Sequence, residues 1–139
     1  MRRYIDTSVL TTVYCDEPQA LQAQKILQSG EPAISSLTKL EFSSSVAKKL
    51  RMKTFTRTEA ARVISQFHEH IRAGVFAMQS VHESHYALAN EWVDTFSTGL
   101  RTVDALHLAI AASEGLPLAT ADTVMAKSAR SLGLKVIAL

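Results

Sequence analysis

The sequence predicts an α/β domain of three layers, in which a central, mainly parallel five-stranded sheet is flanked by helices. Two observations predict this class. Short apolar runs alternate with longer segments whose apolar residues recur at helical spacing, the pattern of parallel strands joined by crossover helices. Hydrophobic residues make up 47% of the chain and charged residues 20%, which is enough apolar material for a packed core. The 139 residues fit a single domain, residues 1–139, without a linker.

The individual elements follow from local patterns. The strand candidates are residues 3–6, 33–36, 75–79, 118–120 and 135–138. Thr56 and Glu59 match a capping box that opens a helix, and Gly74 ends it. Ser80 and Glu83 match a second capping box. Helical spacing predicts two more helices, over residues 16–30 and 105–114, whereas residues 7–15 carry the weakest pattern.

Charge and cysteine content exclude several classes of function. Lys and Arg number 15 against 13 Asp and Glu, a net charge of +2, so any nucleic-acid surface has to be local. The single Cys15 excludes an internal disulfide framework and fits a reducing compartment, so we expect a cytoplasmic location. No apolar stretch approaches the roughly 18 residues of a membrane span. Asp6 also interrupts the only N-terminal candidate for a signal-peptide core, and we expect neither export nor membrane insertion.

Acidic residues stand at several junctions between a strand and the next helix. Asp6 follows the first strand, Asp122 follows the fourth, Asp104 opens the helix over residues 105–114, and Glu41 lies one turn beyond the second strand. Ligands of parallel sheets bind outside the carboxyl ends of the strands, so we expect these carboxylates to lie together. Two carboxylates about 4 Å apart repel by about 4 kcal/mol at an effective dielectric near 20, which favours protonation or a bound cation. Ligation by oxygen alone favours Mg²⁺ or Mn²⁺ over Zn²⁺.

The same acids also fit structural roles at helix N-termini. Thr38 and Glu41 match a capping box, in which Glu41 accepts a hydrogen bond from the Thr38 amide instead of binding a metal. Asp104 and Asp122 stand where N-caps stand, and each such cap contributes about 1 kcal/mol. Asp6 has no evident capping role. From the residues alone, both interpretations stay open for Glu41, and capping is the commoner role for Asp104 or Asp122 taken singly.

Four segments carry these acids. They read Tyr-Ile-Asp-Thr-Ser-Val-Leu at 4–10, Ser-Leu-Thr-Lys-Leu-Glu at 36–41, Thr-Val-Asp-Ala-Leu-His-Leu-Ala at 102–109 and Ala-Thr-Ala-Asp at 119–122. In this order and at these separations they resemble the acidic motifs of the PIN-domain family, most of all its VapC-type toxins. The resemblance spans the whole chain. It implies an endoribonuclease dependent on Mg²⁺ or Mn²⁺, with catalytic and metal-binding Asp6, Glu41, Asp104 and Asp122.

The resemblance also implies partners. It implies the toxin of a type II toxin-antitoxin pair, with an RNA substrate, a small DNA-binding antitoxin that covers the acidic pocket, and a second copy in a homodimer. The alternative of another class is a catalytically silent PIN-fold scaffold or RNA-binding protein. A receiver-type signalling domain needs paired acids after the first strand, and an aspartyl-nucleophile phosphatase needs Asp-x-Asp there; the sequence has Asp6, Thr7 and Ser8.

Hydroxyl and histidine side chains lie beside the acids. Thr7, Ser8 and Thr120 carry hydroxyls that can orient a carboxylate or phosphate, with simple turn formation as the competing role. His107 follows Asp104 by three residues on the same helical face. A packed histidine that supports the site is a commoner role there than a metal ligand or proton shuttle.

One stretch of the chain is locally basic. Positive side chains crowd it, and they form the candidate surface for an RNA backbone, with a solvated helix face as the competing interpretation. The residues of this basic segment are Lys48, Lys49, Arg51 and Lys53.

Overall fold

The computed structural model describes residues 1–139 as one five-stranded sheet with seven helices. The strands are β1 (Arg2–Ile5), β2 (Glu31–Ser35), β3 (Ala77–Gln79), β4 (Leu118–Thr120) and β5 (Val136–Ala138). The helices are α1 (Thr7–Tyr14), α2 (Ala20–Gln28), α3 (Ser36–Arg51), α4 (Arg57–Arg72), α5 (Glu83–Asp94), α6 (Thr102–Ser113) and α7 (Thr123–Ser131). No helix combines the length and the hydropathy needed to cross a membrane.

The sheet has the order β3-β2-β1-β4-β5, and every neighbouring pair is parallel. The predicted sheet is therefore confirmed, and it is parallel throughout. The chain first winds from β1 to one edge through β2 and β3, then crosses to the other side of β1 for β4 and β5. The chain therefore leaves β1 toward one half of the sheet and leaves β4 toward the other half, so the direction of winding reverses between these two strands. A crevice opens at such a switch point, beyond the carboxyl ends of the central strands.

Alternate residues of the central strands bury their side chains in two different cores. Ile5 and Ala119 pack on the side of α1 to α4, whereas Tyr4 and Leu118 pack on the side of α6 and α7. All four side chains are fully buried. This alternation along each strand places helices on both faces and makes the three layers.

Of the two capping boxes predicted at Thr56 and Ser80, one is confirmed and the other is wrong. The box of Thr56 and Glu59 opens α4 as predicted, with both reciprocal hydrogen bonds formed. The box predicted at Ser80 is wrong. The backbone is still extended at His82, so α5 begins only at Glu83, and the His82 backbone N–H donates to Nδ1 of His85. Residues 7–15, where the pattern is weakest, form α1 immediately after β1.

Candidate metal centre

The structure brings all four predicted acids to one cleft at the carboxyl ends of β1, β2 and β4. Asp6 directly follows β1, Asp122 lies two residues after β4, Glu41 is the sixth residue of α3 and Asp104 is the third residue of α6. The cleft has a volume of about 230 Å³ and no hydrophobic lining residue. Its remaining lining residues carry hydroxyls: Thr7, Ser8, Thr11 and Ser45.

A larger cleft, of about 390 Å³, lies at the opposite edge of the sheet. Its lining residues precede β1, β4 and β5 and are mostly apolar, with Lys135 as the one charged side chain. It brings no group of titratable residues together. Of these two clefts, only the smaller one gathers carboxylates.

The structure decides which of the acids are helix caps. Ser35 and Thr38 form the capping box of α3 with each other, so the capping interpretation of Glu41 is wrong. It is also wrong for Asp104, because the N-cap position of α6 is Arg101 and Asp104 lies inside the helix. The box of α3 starts three residues earlier than the sequence match, which leaves Glu41 free to face the cleft.

Asp122 is a cap and a lining residue of the cleft at once. Its Oδ1 accepts hydrogen bonds from the backbone N–H of Val124 at 2.9 Å and of Met125 at 3.1 Å. Both bonds use the same oxygen. The second oxygen, Oδ2, makes no hydrogen bond within the protein, so the two interpretations of this residue do not exclude each other.

Asp6 is held by hydroxyls from two directions. It is 5% exposed, and its Oδ2 accepts from the Ser8 hydroxyl at 2.6 Å and from the Thr120 hydroxyl at 2.8 Å. The Ser8 oxygen in turn accepts from the Ala121 backbone N–H at 2.9 Å, and the Thr120 oxygen accepts from the Asp122 N–H at 3.0 Å. These bonds fix the turn that carries Asp122 against the carboxylate that ends β1.

Glu41 is held from behind the cleft. Its Oε1 lies 2.8 Å from Nε2 of His107, which is fully buried. Nδ1 of the same ring lies 2.7 Å from the Tyr4 hydroxyl. Asp6, Glu41 and His107 each place one ligand atom within 4.8 Å of the other two. Because both ring nitrogens are engaged, His107 supports the site. Tyr4 was missed, since nothing in a buried strand position signals a partner on α6.

Four carboxylates line the cleft, and no Lys or Arg lines it with them. Burial, together with the charges of Asp6, Glu41 and Asp122, raises the pKa of Asp104 to about 6. Burial is the largest single influence on Glu41 and would raise its pKa, but the hydrogen bond to His107, the nearby Thr7 hydroxyl and the charge of His107 together outweigh it, and the pKa lies below its ordinary value. Glu41 is therefore a carboxylate at neutral pH. The repulsion by the neighbouring carboxylates raises the pKa of Asp104.

The donors present fit a hard divalent cation. All the polar side-chain atoms of the lining residues are oxygens, which suits Mg²⁺ or Mn²⁺. Thr7 is 4% exposed and lines the cleft; its buried hydroxyl lies near enough to the Glu41 carboxylate to lower that pKa but has no partner within 3.5 Å. A buried hydroxyl without a partner is unusual in a folded protein, and a cation or its water shell would satisfy it.

The basic segment lies at the far end of α3 from Glu41. Lys48, Arg51 and Lys53 are exposed. Lys49 is engaged, since its Nζ lies 3.6 Å from the Glu17 carboxylate and 5.8 Å from the centre of the Phe55 ring. Ten residues of helix separate Glu41 from Arg51, a rise of about 15 Å. The far end of the segment is therefore about 15 Å from Glu41 along α3, and none of its residues lines the cleft.

A parallel α/β sheet with an acidic cleft beyond its central strands defines the structural class of the protein. Within that class, the sequence matches the family model of the PIN domain over residues 3–131. The protein belongs to the PIN domain family.

Several solved structures with the same fold are toxins or toxin-antitoxin complexes. DNA-bound VapBC from Salmonella typhimurium has a TM-score of 0.72 at 16% identity, over 99% of this chain and 98% of that chain. VapBC2 from Rickettsia felis, bound to a promoter fragment, has 0.71 at 15% identity, over 99% and 98%. VapC20 from Mycobacterium tuberculosis, a sarcin-ricin loop cleaving toxin, has 0.70 at 16% identity, over 96% of each chain. No curated protein matches this sequence.

Proposed function

We propose that this protein is a metal-dependent endoribonuclease that hydrolyses RNA phosphodiester bonds and acts as the toxin of a type II toxin-antitoxin system. One observation carries the proposal: four carboxylates from distant parts of a PIN domain meet in one polar cleft. The likeness to VapBC structures supports the toxin role. Residues 1–139 then act as a single PIN domain.

In this proposal the four acids have different roles at the metal site. When bound, Mg²⁺ or Mn²⁺ supplies positive charge that screens the phosphate and acidifies the attacking water. Asp6 and Asp104 are the direct ligands in this proposal. Glu41 and Asp122 complete the site, and one of the two accepts a proton from the water as general base. Thr7, in reach of the cleft, hydrogen-bonds to the phosphate or to the ion's water shell.

In this proposal the RNA and the antitoxin bind to the surface around the cleft. The exposed Lys48, Arg51 and Lys53 contact the RNA backbone in this proposal, whereas Lys49 is already paired with Glu17. A small DNA-binding antitoxin covers the cleft and places an Arg or Lys against its acids. The protein is a cytoplasmic homodimer.

The nuclease is tested with purified protein and a single-stranded or looped RNA. We expect cleavage in Mg²⁺ or Mn²⁺ and none in excess chelator. Asp104→Asn, purified identically, controls for contaminating nuclease. Undiminished cleavage in chelator by a preparation whose Asp104→Asn counterpart is inert would overturn the metal mechanism. Metal binding without cleavage of any RNA would favour the silent scaffold.

The antitoxin is tested by affinity capture from the native host at several growth stages. We expect one small protein in stoichiometric amount, and its addition to the purified nuclease should stop cleavage. Capture that recovers no small protein at any stage would contradict the toxin role while leaving the nuclease intact.

A further inference from the structure

Behind the acidic cleft, three side chains from three elements form a buried row of hydrogen bonds. Tyr4 comes from β1, His107 from α6 and Glu41 from α3. The Tyr4 hydroxyl lies 2.7 Å from Nδ1 of His107, and Nε2 lies 2.8 Å from Oε1 of Glu41. Tyr4 and His107 are both fully buried. The proposed function uses neither of them.

The chemistry of the groups gives this row a direction. A carboxylate only accepts, so the Nε2–H group of His107 donates a hydrogen bond to Glu41, and in the tautomer protonated at Nε2 the Nδ1 atom accepts from the Tyr4 hydroxyl. The Tyr4 oxygen also lies 2.8 Å from the Ser35 hydroxyl and 3.3 Å from the Thr38 hydroxyl. These two residues form the capping box of α3. The same row therefore fixes both the start of α3 and the carboxylate that α3 presents.

We propose that His107 is a positioning residue that fixes Glu41 for metal binding, and that Tyr4 orients the His107 ring by its hydrogen bond to Nδ1. The inference rests on the proposed function. The bond to Oε1 leaves Oε2 as the free oxygen of Glu41. A glutamate has three rotatable torsions, and fixing them in advance removes an entropic cost that binding would otherwise carry. Helix α6 thus carries Asp104 to the cleft. One turn later, through His107, it also holds Glu41, which belongs to α3.

Two substitutions of His107 separate this role from simple packing. The amide nitrogen of Gln reaches about as far as Nε2 and can still donate to Glu41, whereas the shorter Asn reaches only to the level of Nδ1. We expect His107→Gln to bind Mn²⁺ within about threefold of the natural protein, and His107→Asn to bind at least about tenfold more weakly. The Kd values come from calorimetry or from the electron paramagnetic resonance of free Mn²⁺. RNA cleavage should follow the same order.

Tyr4→Phe tests the far end of the row. It keeps the ring and removes the hydroxyl, so Nδ1 of the buried His107 ring loses its hydrogen-bond partner and the ring loses one of the two contacts that orient it. We expect a loss of Mn²⁺ affinity between those of the two His107 variants. His85→Gln is the matched control, since His85 is 2% exposed but lies outside the cleft. It should change the melting temperature without changing Mn²⁺ affinity.

The outcomes separate this inference from the proposed function. If Glu41→Gln loses Mn²⁺ binding and cleavage while both His107 variants keep them, the positioning role is overturned and the nuclease stands. If Glu41→Gln itself keeps both, the acid set is wrong and the positioning role falls with it. In a Glu41→Gln background, His107→Asn should cause no further loss of affinity. A full additive loss there would show a role independent of Glu41 and contradict the inference.

Discussion

Asp104 and Asp122 line the same cleft but have opposite relations to their own helices. Asp122 is the N-cap of α7 and accepts two backbone hydrogen bonds. Asp104 lies inside the first turn of α6, makes no hydrogen bond, and burial with the neighbouring charges raises its pKa to about 6. One carboxylate stabilises the fold that carries it, while the other is tolerated at a cost. A residue whose charge destabilises the fold needs another reason to be there, and a bound cation is such a reason.

The largest expected effect is that of Asp104→Asn, which keeps the shape and removes the charge. We expect RNA cleavage to fall by at least about a thousandfold, a transition-state loss of about 4 kcal/mol. We expect the free energy of unfolding without metal to rise by about 1–3 kcal/mol, after allowance for solvent screening of a half-buried group. That gain raises the melting temperature by about 4 °C for each kcal/mol. Melting and cleavage assays on one preparation measure both.

Glu91→Gln is the control for net charge, because Glu91 is exposed on α5 and does not line the cleft. It should leave cleavage unchanged and alter the melting temperature little. If Asp104→Asn instead lowers metal-free stability as a lost cap does, Asp104 stabilises its helix as Asp122 does, and the proposed difference between the two acids is wrong.

The pH dependence of metal-free stability is the second test. The Asp104 pKa of about 6 lies above its ordinary value of 3.8, so between these two values the folded state binds more protons than the unfolded state. Its contribution to stability is therefore present below pH 3.8 and is lost as the pH rises through about 6. Denaturant unfolding across this range should show a fall of about 1–3 kcal/mol from this group. In Asp104→Asn, that component should vanish; an unchanged pH profile would contradict the assigned pKa.

The smallest effect separates two variants of Asp122. Asn caps a helix nearly as well as Asp, whereas Ala does not, so Asp122→Ala should be less stable than Asp122→Asn by about 1 kcal/mol. Both variants lose the charge and should lose cleavage to the same extent. Equal melting temperatures would show that the cap is not important, and unequal cleavage would show that the cap itself positions the site.

Much of the fold was predictable because it depends on local patterns. Apolar runs between helical segments located all five strands, and the sheet they form is the predicted one. The box at Ser80 failed because a motif of two residues cannot report that the chain is still extended at His82. α1 is short and rich in threonine, so its pattern was weak although β1 leads directly into it.

The acids were predictable as a group, but their partners were not. Asp6, Glu41 and Asp122 follow β1, β2 and β4, whose carboxyl ends meet at one end of the sheet, whereas Asp104 follows helix α5 and reaches the cleft on α6. The contact between Tyr4 and His107 joins residues 103 apart in sequence, and only tertiary packing creates it. Likewise, no local pattern indicated that Lys49 within the basic segment is paired with Glu17.

The central claim is that the cleft binds a divalent cation through Asp104 and its neighbours. The most direct measurement is the thermal unfolding of the natural protein and of Asp104→Asn as Mn²⁺ is added. A ligand that binds only the folded state stabilises it by about 2.7 kcal/mol at a hundredfold excess over Kd. We expect the melting temperature of the natural protein to rise accordingly and that of Asp104→Asn to stay constant. An equal rise in both proteins, or no rise in either, would contradict the account.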